Sequence, residues 1–123
     1  TGSKLWTRDI SSTQTPIVNG NSIFIVNENK EIICLNILDG GTKWVLPIED
    51  ELSNDKKYLW LPPILINSKL LLVGGNKKLI VIDPYTGAIN KIKSIPNFPA
   101  SSPIIVNSIP YLMLRNGDIV KIE

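Results

Sequence analysis

Residues 63–87 read Pro63-Ile-Leu-Ile-Asn-Ser-Lys-Leu-Leu-Leu-Val-Gly-Gly-Asn-Lys-Lys-Leu-Ile-Val-Ile-Asp-Pro-Tyr-Thr-Gly87. The apolar runs Ile64–Ile66, Leu70–Val73 and Leu79–Ile82 are separated by Asn67-Ser68-Lys69 and by Gly74-Gly75-Asn76-Lys77-Lys78. Short apolar runs bounded by Gly, Asn and Ser are strands joined by tight turns, so this stretch predicts a three-stranded antiparallel meander. Asp83-Pro84-Tyr85-Thr86-Gly87 then predicts a turn into a fourth strand.

The pattern occurs three times. Aligned on Pro16, Pro63 and Pro103, the segments PIVNGNSIFIVNENKEIICLN, PILINSKLLLVGGNKKLIVID and PIIVNSIPYLMLRNGDIVKIE run together without gaps. Gly40 and Gly87 fall at the same distance beyond their prolines, and Trp44 stands four residues after Gly40. Trp6 stands four residues after Gly2, which marks Thr1-Gly2 as the tail of an earlier repeat. Lys91 occupies the tryptophan position after Gly87. A period of 40–50 residues is that of propeller blades.

In order, the chain predicts a lone strand over 3–8, a meander over 16–36 with a fourth strand to 46, and a long connection over 47–62. A second unit follows over 63–93 and a last meander over 103–123. No segment holds apolar residues at helical spacing. Strands apolar at consecutive positions need cover on both faces, which stacked sheets supply. The expectation is an all-β chain, residues 1–123 forming one domain. It would be a partial β-propeller of about three four-stranded antiparallel blades, the C-terminal piece of a larger ring.

Composition narrows the functions. The 123 residues carry 13 Lys and Arg against 11 Asp and Glu, a net charge of +2 that gives no basis for binding nucleic acid. The absence of histidine removes the commonest general base and zinc ligand together. Cys34 is the single cysteine, so no internal disulfide can form. No apolar run is long enough to span a membrane as a helix.

The repeat resembles the quinoprotein-type, or PQQ-like, blade. The matching residues are Pro16, Val18, Gly20, Ile23, Phe24, Leu35, Gly40 and Trp44 in the first copy. In the second they are Pro63, Leu79, Ile82, Asp83, Thr86 and Gly87. Further features are Trp6-Thr7-Arg8-Asp9-Ile10 running into Gln14-Thr15-Pro16, then Thr42-Lys43-Trp44-Val45 and Lys56-Lys57-Tyr58-Leu59-Trp60. Together they resemble the family of outer-membrane protein assembly factors built on this repeat. That resemblance implies a non-catalytic periplasmic lipoprotein scaffold that binds the POTRA domains of the barrel-inserting subunit. Its membrane contact would be an N-terminal lipid anchor, and it implies no cofactor and no metal. The same repeat also occurs in quinone-dependent dehydrogenases, the alternative reading. Those need a complete ring, a calcium site and commonly a vicinal cysteine pair.

Trp6, Trp44, Gly40, Gly87 and Asp83 are read as residues that build the blades, with Asp39 and Asp83 supporting the strand-to-strand corners. Gly74–Lys78 lacks the Gly-Lys-Ser/Thr ending and the following helix of a phosphate loop, and reads as a hairpin. Cys34 aligns with Val81 and reads as a packed thiol. The connection 47–62 places Lys56, Lys57, Tyr58 and Trp60 together. Aromatic residues beside charges suit a protein-binding surface, or Tyr58 and Trp60 cover the blade edge. Open edges and apolar faces lead to the expectation that the 123-residue chain self-associates.

Overall fold

The computed structural model describes residues 5–10, 12, 16–28, 30–48, 60–74 and 77–122. They form eleven strands and three antiparallel sheets. The first sheet holds β1 (Ile17–Asn19), β2 (Ser22–Val26), β3 (Glu31–Asn36) and β4 (Thr42–Pro47) in that order. The second repeats it with β5 (Ile64–Ile66), β6 (Lys69–Gly74), β7 (Lys78–Ile82) and β8 (Ile89–Ser94). The third has three strands, β9 (Ile104–Val106), β10 (Ile109–Met113) and β11 (Ile119–Lys121).

Turn chemistry sets the registers. Asn67-Ser68 and Asn107-Ser108 occupy two-residue loops with φ of 49° and 60°, and of 51° and 64°. Two successive positive φ values define a type I′ turn, whose twist matches the flanking strands. The pairings Ile66 with Lys69 and Val106 with Ile109 follow. Lys30, Lys77 and Gly117 lie at equivalent places in the three copies and all have positive φ, 58°, 63° and 93°. Each donates its backbone N–H three residues back, to Asn27, Gly74 and Leu114, at 3.0–3.1 Å. β6 and β7 therefore pair as a hairpin, with Gly74 opposite Lys78.

The corners that lead to the fourth strands also coincide. Gly40 donates to the Asn36 carbonyl at 2.8 Å and Gly87 to the Asp83 carbonyl at 2.9 Å. The Asn36 side chain accepts from Leu38 N–H at 2.9 Å, and the Asp83 carboxylate from Tyr85 N–H at 2.8 Å. One turn further on, Asp39 Oδ1 accepts from Gly41 N–H and Thr86 Oγ1 from Ala88 N–H. Both acids thus accept backbone hydrogen bonds within their corners. The third strands of the first two sheets slip register at the same place, between Cys34 and Leu35 and between Val81 and Ile82.

Period-two alternation divides the middle sheet between two cores. Leu70, Leu72, Ile80 and Ile82 pack with Phe24, Val26, Ile32 and Cys34 of the first sheet. Leu71, Val73 and Leu79 point the other way and join Ile95, Leu112 and Leu114 toward the third sheet. The consecutive apolar run in β6 is therefore covered on both faces. In the third sheet Ile104, Ile105, Val106, Met113 and Ile119 are exposed.

One expected element differs. Residues 5–10 carry no strand, although a lone strand was expected over 3–8. A strand requires a backbone ladder, and no described strand lies beside this segment to supply one. Side chains hold it instead: the Trp6 indole N–H donates to the Ile37 carbonyl at 2.9 Å, and the Arg8 guanidinium to the Gly40 carbonyl at 2.6 Å. The fourth strands run to Pro47 and Ser94, one residue beyond their predicted ends.

Leu72→Ala, at a fully buried site between the first two sheets, is expected to cost about 2–5 kcal/mol of unfolding free energy. Ile119→Ala, at a 64% exposed site, should stay within about 0.5 kcal/mol of the parent in the same urea titration.

Candidate functional surfaces between the blades

The blades are joined by one repeated contact. Trp44 of β4 donates its indole N–H to the Pro84 carbonyl at 3.0 Å, in the corner of the second sheet. Trp6 makes the equivalent bond to Ile37, in the corner of the first sheet. In each case the indole face lies on the corner glycine. A Cβ built on Gly40 would come within 2.5 Å of the Trp6 ring, and one built on Gly87 within 2.6 Å of the Trp44 ring. Both glycines also have positive φ, 74° and 78°. Each glycine is thus required twice, by its backbone conformation and by the ring on top of it. Phe24 completes the packing, its ring centroid 5.9 Å from that of Trp44.

Trp60 is 5% exposed and sits in the core between the first and second sheets. It bridges to Gly74, while the next residue, Leu61, donates to the Val73 carbonyl at 2.9 Å. This is the covering role; its side chain is not presented as an exposed anchor for a partner. Lys56, Lys57 and Tyr58 lie outside the described residues. Asp83 is engaged with its own corner.

Cys34 is fully buried, and its burial pushes the thiol pKa up, against a smaller lowering by the Ser22 hydrogen bond and the Lys43 charge. A neutral buried thiol packs as a small apolar group and is a poor nucleophile. Among the described residues no three His, Cys, Asp or Glu side chains are grouped to hold a metal ion.

Between the second and third sheets lies a cavity of about 600 Å³. Its floor is apolar, from Ile66, Leu71, Val81, Ile109, Pro110 and Ile122. Its polar lining comes from Lys69, Lys91, Lys121, Asn67, Asn90 and Ser108. Lys91, at the tryptophan position of the repeat, is among the lining residues.

Antiparallel four-stranded sheets stacked face to face and locked by tryptophan on glycine are the architecture of part of a β-propeller. The described residues supply two four-stranded blades and three strands of another. Residues 1–46 match the family model of outer membrane protein assembly factor BamB. The chain superposes on the crystal structure of BamB from Moraxella catarrhalis with a TM-score of 0.73 at 14% identity, covering 92% of this chain and 32% of that one. The WD40 domain of SCAP from fission yeast superposes with a TM-score of 0.53 at 12% identity, covering 85% of this chain and 29% of that one. The chain thus spans about a third of the length of these proteins. No curated protein matches it in sequence. At these identities the likeness establishes the fold, that of part of a BamB-like β-propeller.

Gly87→Ala is expected to combine about 1–2 kcal/mol of left-handed backbone cost with about 1–3 kcal/mol from displacing the Trp44 ring. Gly20→Ala is the control, since its φ is 57° but a Cβ there meets nothing within 4 Å. It should show the backbone cost alone. Urea unfolding of both variants, followed by tryptophan emission, checks the difference.

The native Cys34 thiol is expected to resist Ellman's reagent and to react promptly once the protein is unfolded. Because its folded pKa is raised, stability is retained below the ordinary thiol range and falls as pH rises through that range toward the folded value.

Proposed function

We propose that this chain is part of a non-catalytic periplasmic scaffold that assists insertion of β-barrel proteins into the outer membrane. It would act by binding the POTRA domains of the barrel-inserting subunit. The observation that carries this reading is the match of residues 1–46 to the BamB family model, on a chain 92% of which superposes on a BamB structure. The chemistry agrees with a scaffold. The two conspicuous acids, Asp39 and Asp83, are engaged in turns, and the cysteine is buried. Among the described residues no helix is long and apolar enough to cross a membrane. Association with the outer membrane would accordingly come through a lipid anchor or through partner subunits.

The test is co-purification of the natural-length protein with the barrel-inserting subunit from detergent-solubilised outer membranes, followed by titration against its isolated POTRA domains. Saturable binding, weakened at least about fivefold by Lys56→Glu/Lys57→Glu or by Tyr58→Ala, is expected of the surface assigned to 47–62. Absence of binding, together with tight uptake of pyrroloquinoline quinone and calcium, would replace the scaffold by the dehydrogenase reading.

Expressed by itself, the 123-residue chain is expected to self-associate through the third sheet. Ile104, Ile105, Val106, Met113 and Ile119 there are 43–64% exposed. Light scattering at high protein concentration that gave only the monomer mass would contradict this.

A further inference from the structure

Asn-Gly occurs at two places in the chain, Asn19-Gly20 and Asn116-Gly117. The same chemistry is open to both. A glycine nitrogen can approach the side-chain carbonyl of the preceding asparagine because no Cβ stands in the way. Both pairs sit at hairpins, all four residues are exposed, and both glycines have positive φ, 57° and 93°. A Cβ built on either glycine would meet nothing within 4 Å. Access and space therefore do not separate the two sites.

Hydrogen bonding does. Asn116 Oδ1 accepts from the Asp118 N–H at 3.1 Å, and its Nδ2 donates to the Asp118 carboxylate at 3.0 Å. The Gly117 N–H is also engaged, donating to the Leu114 carbonyl at 3.0 Å. Both reacting groups of that pair are thus held apart by the hairpin. At the other site, among the described residues, the Asn19 side chain makes no hydrogen bond and the Gly20 N–H has no backbone acceptor. Asn19 ends β1, a three-residue edge strand that pairs with β2 alone. Opening such a strand locally costs little. Ile17, two residues before Asn19 and so on the same face, packs into the core between the first and second sheets. Asn19 is therefore exposed with the neighbouring sheet already in place.

We infer that Asn19 is a site of spontaneous deamidation in the folded protein, and that the hairpin protects Asn116 from the same reaction. The Gly20 nitrogen attacks Asn19 Cγ. A Cγ–N bond forms, the Cγ–Nδ2 bond breaks, and ammonia leaves with the proton that the Gly20 nitrogen loses. Water then opens the five-membered imide. Addition at Cγ leaves aspartate at position 19, and addition at the main-chain carbonyl leaves isoaspartate. One water enters, one ammonia leaves, and nothing is oxidised or reduced. Either product adds a negative charge at neutral pH. Isoaspartate also lengthens the main chain by a methylene at the residue paired with Ser22, which loosens the end of the β1–β2 hairpin.

The test incubates the protein at its natural length in mildly alkaline buffer, then follows tryptic peptides by mass spectrometry. Asn19 falls in peptide 9–30 and Asn116 in peptide 116–121, so the two sites are read separately from one digest. In the native protein, amide-to-acid conversion at Asn19 is expected to run at least about fivefold faster than at Asn116. In guanidinium chloride, with the hairpin hydrogen bonds gone, the two rates should agree within about twofold. Asn19→Gln, at an exposed position, should leave peptide 9–30 unconverted over the same period. Native rates at the two sites within about twofold of each other would overturn the proposal, as would a native preference that persisted undiminished after unfolding. Conversion of peptide 9–30 at the parental rate in Asn19→Gln would also overturn it, by placing the reaction at another asparagine.

Discussion

The structure depends on an indole lying flat on a glycine in the next sheet. Two β-sheets stacked face to face have no backbone hydrogen bonds between them, so their relative position must be fixed by side chains. Apolar side chains alone give cohesion without direction. The Trp44 contact adds direction, because the N–H must reach the Pro84 carbonyl while the ring face stays against Gly87. The Trp6 contact with Ile37 and Gly40 repeats that geometry on the other side of the first sheet. Orientation between blades is therefore set at the periphery by one hydrogen bond and one close contact, while the interior supplies bulk cohesion through residues such as Leu70, Leu72 and Ile80.

The corner that receives the indole is a product of local sequence. Glycine at the left-handed position turns the chain, and an Asn or Asp side chain four residues earlier caps the turn by accepting a backbone N–H. Asn36 and Asp83 do this at equivalent positions despite their different charge, which shows that the hydrogen-bond acceptor, and not the charge, is what the corner requires. The strand slip beside each corner, at Cys34/Leu35 and Val81/Ile82, accompanies the turn in both blades. Turn, slip and aromatic contact act as one unit.

Much of this was legible in the sequence because it is local and periodic. Spacing from Pro16, Pro63 and Pro103 locates the strands, the glycines mark the corners, and the consecutive apolar residues of β6 require two covered faces. The remainder depended on neighbours. Residues 5–8 have strand-like composition, yet without an adjacent ladder they are held by Trp6 and Arg8 side chains. Trp60 follows a run of charges and reads equally as an anchor for a partner or as a cover; its place in the core becomes visible only once Gly74 and Val73 are beside it. The cavity is the extreme case. Lys91 departs from the pattern in plain view, but the sequence alone does not show which residues of the facing sheet line the space beside it.

The two members of the lock differ in what their loss would do. The glycine is bound into the backbone: its φ is positive and its neighbours' hydrogen bonds depend on that geometry. Replacing it strains the turn and displaces the ring together. The tryptophan projects from the middle of a strand, where another side chain can take its place without altering φ, ψ or register. The second blade demonstrates this, since Val81 pairs with Lys91 as Cys34 pairs with Trp44, and the Gly87 corner before it is intact. A repeat of this kind can therefore vary at the aromatic position while keeping its frame. A change at the glycine would break the corner first. The second blade departs from the pattern of the first at the aromatic position, where departure is structurally cheapest.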